Sequence, residues 1–186
     1  MGMSALVPHY TAEELRRFPE DGLRYEVIRG ELFVTPGPGT VHQRLVLALA
    51  RGLADYVDRY ELGETFLGPF EVEFADDTAV QPDVLVLLHD RAGQLTPARL
   101  MGPPSLVVEV VSYSSKRIDR LQKRALYMDD GVAEYWVAEP GLRRVERWVP
   151  GAEAPELLSD RLTWAPRGGL DPLVVDLVAL FDRATR

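Results

Sequence analysis

Two apolar runs constrain the fold most: Val84-Leu85-Val86-Leu87-Leu88 and Leu106-Val107-Val108-Glu109-Val110-Val111. A strand with one wet face alternates polar and apolar residues, whereas a strand covered on both faces reads as a continuous apolar run. Both runs therefore belong inside a sheet that carries packed material on each side. The second run is interrupted by one charge, Glu109. A lone buried carboxylate costs several kcal/mol or shifts its pKa until neutral, so Glu109 must have a partner. Asp83 stands just before the first run and just after Pro82, which cannot donate to a ladder and so marks a strand start or edge. If the two strands are neighbours, the two acids converge. Convergent carboxylates repel unless a cation lies between them, and hard oxygen ligands suit Mg²⁺ or Mn²⁺.

Other segments supply the surroundings. Thr11-Ala12-Glu13-Glu14 has the form of a capping box and predicts a short helix. Alternating stretches from Leu23 to Val34 meet near Gly30 and predict a hairpin. Thr40 with Gln43 predicts a second capping box, and Val41, Leu45, Leu49, Leu53 and Tyr56 mark an amphipathic helix of about five turns. Phe66 to Phe74 reads as a strand, Asp76-Asp77 as a turn, and His89 to Pro104 as a loop. A helix is predicted from Lys116 to about Asp129, ended by Gly131. Tyr135 to Ala138, Arg143 to Val149 and three short segments near Glu156, Arg161 and Leu173 read as strands before a short final helix. The expected class is mixed α/β: a sheet with a long helix before it and another packed on it.

Composition removes some chemistries. The 186 residues contain no cysteine, which excludes disulfides, thiolate nucleophiles and cysteine-held metals. A chain of this length can bury about 70% of its unfolded surface without a covalent or metal staple. No apolar run approaches the roughly 20 residues of a membrane helix, and no secretory signal is visible, so a cytoplasmic protein is expected. The net charge of −8 argues against a broad surface that coats nucleic acid.

The basic residues are uneven. Of 21, only Lys116 and Lys123 are lysine. Asp119, Lys123 and Tyr127 are spaced four apart and share one helix face. The N-terminus of that helix points back toward the end of the Glu109 strand, so Lys123 is within reach of the acid pair. Lys116, Arg117, Arg120, Lys123 and Arg124 form a candidate phosphate-facing patch on an otherwise acidic chain. An ammonium, unlike a guanidinium, can be tuned to exchange a proton.

These residues resemble the Uma family of restriction-endonuclease-like proteins. The resemblance lies in Tyr25-Glu26-Val27-Ile28-Arg29-Gly30-Glu31-Leu32, the segment at His42-Gln43, Gln81-Pro82-Asp83-Val84, Val108-Glu109-Val110-Val111-Ser112, the spaced Asp119, Lys123 and Tyr127, and Gly131 to Val137. It spans roughly Tyr10 to Phe181. That family is placed in the PD-(D/E)XK nuclease superfamily. The resemblance implies a restriction-endonuclease-like domain over residues 1–186, with a core from about 23 to 180. It implies a central mixed sheet flanked by helices, an extra N-terminal hairpin and C-terminal short strands. It implies that Asp83 and Glu109, with a backbone carbonyl near Val110, bind Mg²⁺ or Mn²⁺, and that Glu26 contributes from the N-terminal side. The superfamily lysine usually follows the acid by two residues; here Val111 stands there, which makes Lys123 the candidate.

The implied function is metal-dependent hydrolysis of DNA phosphodiester bonds. Lys123 would position or deprotonate the attacking water, His42 and Gln43 would line the cleft, Tyr127 would pack behind Lys123, and Ser112 would contact a phosphate. Duplex-cutting enzymes are commonly homodimers, whose two-fold symmetry matches the duplex. A binding module with a dead site, a metal-dependent hydrolase of another substrate, and an interaction protein with acids merely paired in its core are the other expectations.

Overall fold

The computed structural model describes residues 8–111 and 118–186. Ser112, Lys116 and Arg117 lie outside the described residues, as do the side chains of Asp119 and Arg120. Helix α1 (Ala12–Leu15) opens on the expected capping box: the Glu14 N–H donates to Thr11 Oγ1 at 3.2 Å, and the Thr11 N–H donates to Glu14 Oε2 at 2.9 Å. Strands β1 (Arg24–Ile28) and β2 (Glu31–Thr35) form the expected hairpin. Ile28 faces Glu31, leaving Arg29 and Gly30 as a two-residue turn with φ of 51° and 80°. Positive φ at both positions gives the turn whose twist matches that of the strands.

Helix α2 (Thr40–Arg59) is as long as its periodicity predicts, but the Thr40 capping box does not form. Gly39 takes the extended conformation of the cap, so Thr40 is already the first helical residue and its hydroxyl caps nothing. The expected strand from Phe66 to Phe74 is two strands, β3 (Gly63–Leu67) and β4 (Val72–Ala75). Gly68 and Pro69 separate them. A Cβ at Gly68 would sit 2.7 Å from the Pro82 carbonyl oxygen, and Pro69 has no N–H for a ladder.

Next come β5 (Thr78–Val80) and β6 (Val84–Leu88). The expected loop holds a 3₁₀ turn (His89–Gln94) and the two-residue β7 (Leu100–Met101). Then follow β8 (Leu106–Val110), a π-helical turn (Ile118–Lys123), α3 (Arg124–Asp129), β9 (Glu134–Glu139) and β10 (Arg144–Trp148). The chain closes with β11 (Glu156–Leu158), β12 (Arg161–Trp164), β13 (Leu173–Asp176) and α4 (Leu177–Ala184). The helix expected from Lys116 is therefore π-helical over its described first part and α-helical only from Arg124.

The central six-stranded sheet has the order β11-β10-β9-β8-β6-β3, antiparallel except for the parallel β8–β9 pair. One face packs Val84, Val86 and Val108 against Leu45, Leu49 and Leu53 of α2, with α4 alongside. The other packs Leu85, Leu87 and Val107 against Leu126 and Tyr127 of α3. It also meets Ile28, Val72 and Leu100 of the second sheet, ordered β2-β1-β5-β4-β7. Helices thus lie on both faces, and the hairpin sheet shares one of them. This is why β6 and β8 are apolar at every position except Glu109.

Candidate active site

The antiparallel register of β6 and β8 sets Val84 opposite Val108. One step further brings Asp83 opposite Glu109, which is the convergence the two apolar runs predict. Both acids are buried, at 3% and 2% exposure. The sequence required partners for them, and the structure supplies these from four other elements.

Lys123, at the junction of the π turn and α3, is also buried. Its Nζ lies 2.7 Å from Glu109 Oε1 and 2.9 Å from Glu26 Oε1. Glu26 comes from β1, and its Oε1 also accepts the Gln81 N–H at 2.7 Å. Tyr127, one α-helical turn beyond Lys123, donates its hydroxyl to Glu109 Oε1 at 3.0 Å. Its ring packs against Phe74 and Tyr135 and is fully buried, so Tyr127 stands behind the site and fixes Glu109 from inside. Lys123 faces carboxylates rather than the exposed surface expected of the basic patch, whose Lys116, Arg117 and Arg120 side chains lie outside the described residues. Arg124 lies over the Trp148 ring, 4.7 Å from its centroid.

Asp83 is held on both oxygens. Oδ2 accepts the Val110 N–H at 2.8 Å and meets His42 Nε2 at 2.9 Å. Oδ1 accepts from Arg24 Nη1 at 2.9 Å. Burial works to raise the Asp83 pKa, but the His42 hydrogen bond, the Arg24 charge and the Val110 N–H outweigh it and hold the group at about 2. Asp83 is therefore a carboxylate, and His42 Nε2 donates to it. His42 Nδ1 is buried with no hydrogen-bond partner among the described residues. At Val110 the described contact with the site is its N–H on Asp83.

Arg24 is the residue that sequence reasoning missed. It opens β1 two residues before Glu26, so strand alternation points both at the site. Burial works against its charge, but Asp83, Glu109 and Glu26 hold its pKa above the ordinary arginine value. In a hairpin strand that alternates charged and apolar residues, an arginine reads as solvent-facing. Only the second layer, which places β1 over β6 and β8, turns it inward. Gln43 takes no part in this cluster. It is exposed and borders a shallow depression with Arg44, Leu47 and Leu67.

Among the described residues, no three of His, Cys, Asp and Glu stand as a group that could hold a metal ion. No described helix is long and apolar enough to cross a membrane.

The arrangement defines a mixed α/β fold whose site joins adjoining strand acids to a lysine from the following helix. A solved structure from Anabaena variabilis, titled "putative nuclease belonging to DUF820", shares that fold. It superimposes with a TM-score of 0.76 over 94% of this chain and 99% of its own, at 18% identity. Residues 12–169 match the Uma2 family, described as "Putative restriction endonuclease", and the chain belongs to that family. An uncharacterized protein of Synechocystis is 28% identical over 153 residues, which span 80% of this chain and 85% of the relative.

Proposed function

We propose that this chain is a divalent-metal-dependent endonuclease that hydrolyses phosphodiester bonds in DNA. One observation carries the reading: Asp83 and Glu109 meet at the end of two paired strands, and a buried lysine is bonded to one of them. Membership of a family described by nuclease chemistry supports it.

The donor chemistry fits Mg²⁺ or Mn²⁺. Such ions commonly take one or two protein carboxylates and complete their shell with water and phosphate oxygens, so a three-residue protein cage is not required. Asp83 and Glu109 would hold the ion, with a carbonyl from the Val110 region. Bound there, it would polarise the phosphoryl oxygens and lower the pKa of a water molecule. The protein's own groups do the positioning. Lys123 presents its ammonium beside Glu109, where it orients the attacking water and offsets charge developing on phosphorus. Glu26 and the Gln81 N–H fix that ammonium from the other side. Tyr127 fixes Glu109, and the Val110 N–H and His42 fix Asp83. Cleavage of both strands of a duplex would call on two copies of the chain related by a two-fold axis.

The test is cleavage of supercoiled and linear DNA with Mg²⁺, Mn²⁺ or chelator. Activity that needs metal and disappears in Asp83→Ala and Glu109→Ala is expected. Cleavage that survives both substitutions would place the chemistry elsewhere.

A further inference from the structure

Resting on that reading of the site, we propose that Arg24 is an exchangeable counter-cation. It holds Asp83 while no divalent cation is bound, and it passes to a phosphate of the substrate when the cation arrives.

The two oxygens of Asp83 are not equivalent. Oδ2 is taken by two donors that belong to the framework, a strand N–H and a helix imidazole. Among the described residues, Oδ1 is taken by Arg24 alone. A cation that reaches Asp83 without breaking those two bonds therefore meets Oδ1, the oxygen on which Arg24 sits.

Arg24 is also built to let go. A guanidinium has five N–H donors, and among the described residues Arg24 uses one of them. Its side chain is 21% exposed, whereas that of Lys123 is 3% exposed and bonded by two acids. Of the two cations, Arg24 stands at the mouth and Lys123 at the back. The free donors at the mouth form the planar fork that pairs with phosphate oxygens.

The experiment is Mn²⁺ binding by calorimetry, without DNA, on wild type, Arg24→Gln, Arg24→Lys and Asp83→Asn. Removing a cation from beside the metal position should tighten Mn²⁺ binding about tenfold or more in Arg24→Gln. Arg24→Lys, which keeps the charge, should stay near wild type, and Asp83→Asn should lose uptake. At saturating Mn²⁺, Arg24→Gln should raise the KM for DNA about tenfold or more. Equal or weaker Mn²⁺ binding in Arg24→Gln overturns the exchange but leaves the metal site standing if Asp83→Asn abolishes uptake. Tighter Mn²⁺ binding with unchanged KM overturns the passage to phosphate. No uptake in wild type and Arg24→Gln alike overturns both the exchange and the site reading. Should Arg24→Gln fail to fold, guanidinium ¹⁵N resonances of the wild type, with Arg24 assigned through Arg24→Lys, give the same answer. An Arg24 signal that moves as Mg²⁺ is added supports exchange, and one that stays fixed overturns it.

Discussion

The molecule holds two clusters of arginine and acid, and they are built on different terms. In the hairpin sheet, Arg16 and Arg99 both meet Glu71 and Glu73. Two cations balance two anions there, and the guanidinium side chains keep 28–29% of their surface in water. Where the two sheets meet, three acids face Arg24 and Lys123, and all but Arg24 are almost wholly buried. The first cluster is a clasp between α1, β4 and the loop before β7, in which each acid meets two arginines whose guanidinium ends stay partly in water. The second holds Glu109, Glu26 and Lys123 on one another in a place water hardly reaches, where a lost partner is not replaced by solvent.

The contrast can be broken at four points. Asp83→Ala or Glu109→Ala should lower metal-dependent DNA cleavage by about 10³-fold or more, as the loss of a metal ligand implies, whereas Glu71→Ala should leave the rate near wild type. Single-turnover cleavage assays make the comparison. Lys123→Met leaves two buried carboxylates without their shared partner and should cost about 3–5 kcal/mol in urea denaturation.

Acid should distinguish the clusters next. Asp83 holds its charge in the folded chain down to about pH 2, against an ordinary value of 3.8. Its stabilisation is complete above the unfolded value. It is lost as pH falls from about 4 to about 2, because the unfolded chain takes up a proton that the folded chain refuses. The loss is on the order of 2 kcal/mol. Denaturation midpoints measured across that window should fall less steeply in Asp83→Asn. Arg99→Ala in the clasp, where Arg16 still meets both acids, should cost about 1 kcal/mol or less. If Lys123→Met costs no more than Arg99→Ala, the two clusters are of one kind and the distinction fails.

The sequence made the strand half of the site legible because Glu109 breaks a dry run and Asp83 abuts another. A charge in such a place demands explanation on its own. Glu26 emerged only through family resemblance, and Arg24 did not emerge. Both lie in a hairpin whose alternation is ordinary, and nothing local says which face will be covered by a second sheet. Lys123 was legible through its scarcity and helical spacing, but its burial was not, since an i,i+4 charged face normally faces water. The π turn before α3 has no pattern of its own in sequence. The false capping box at Thr40 arose because Gly39 satisfied the cap conformation without a side chain. The split near Pro69 was written in the sequence, but the alternating aromatics around it outweighed the breaker.

The antiparallel pairing of β6 with β8 also decides where the chain tolerates added length. The acids sit where β6 begins and β8 ends. The connection between the strands leaves from the opposite end, five residues or about 17 Å away. Within it, Ala92 and Gly93 are exposed, and a Cβ at Gly93 would meet nothing within 4 Å. A fluorescent or affinity tag inserted between these two residues leaves the strand register to the ladder, and with it the meeting of Asp83 and Glu109. The span from 89 to 104 is thus the natural port for instrumenting this protein while its chemistry is under assay.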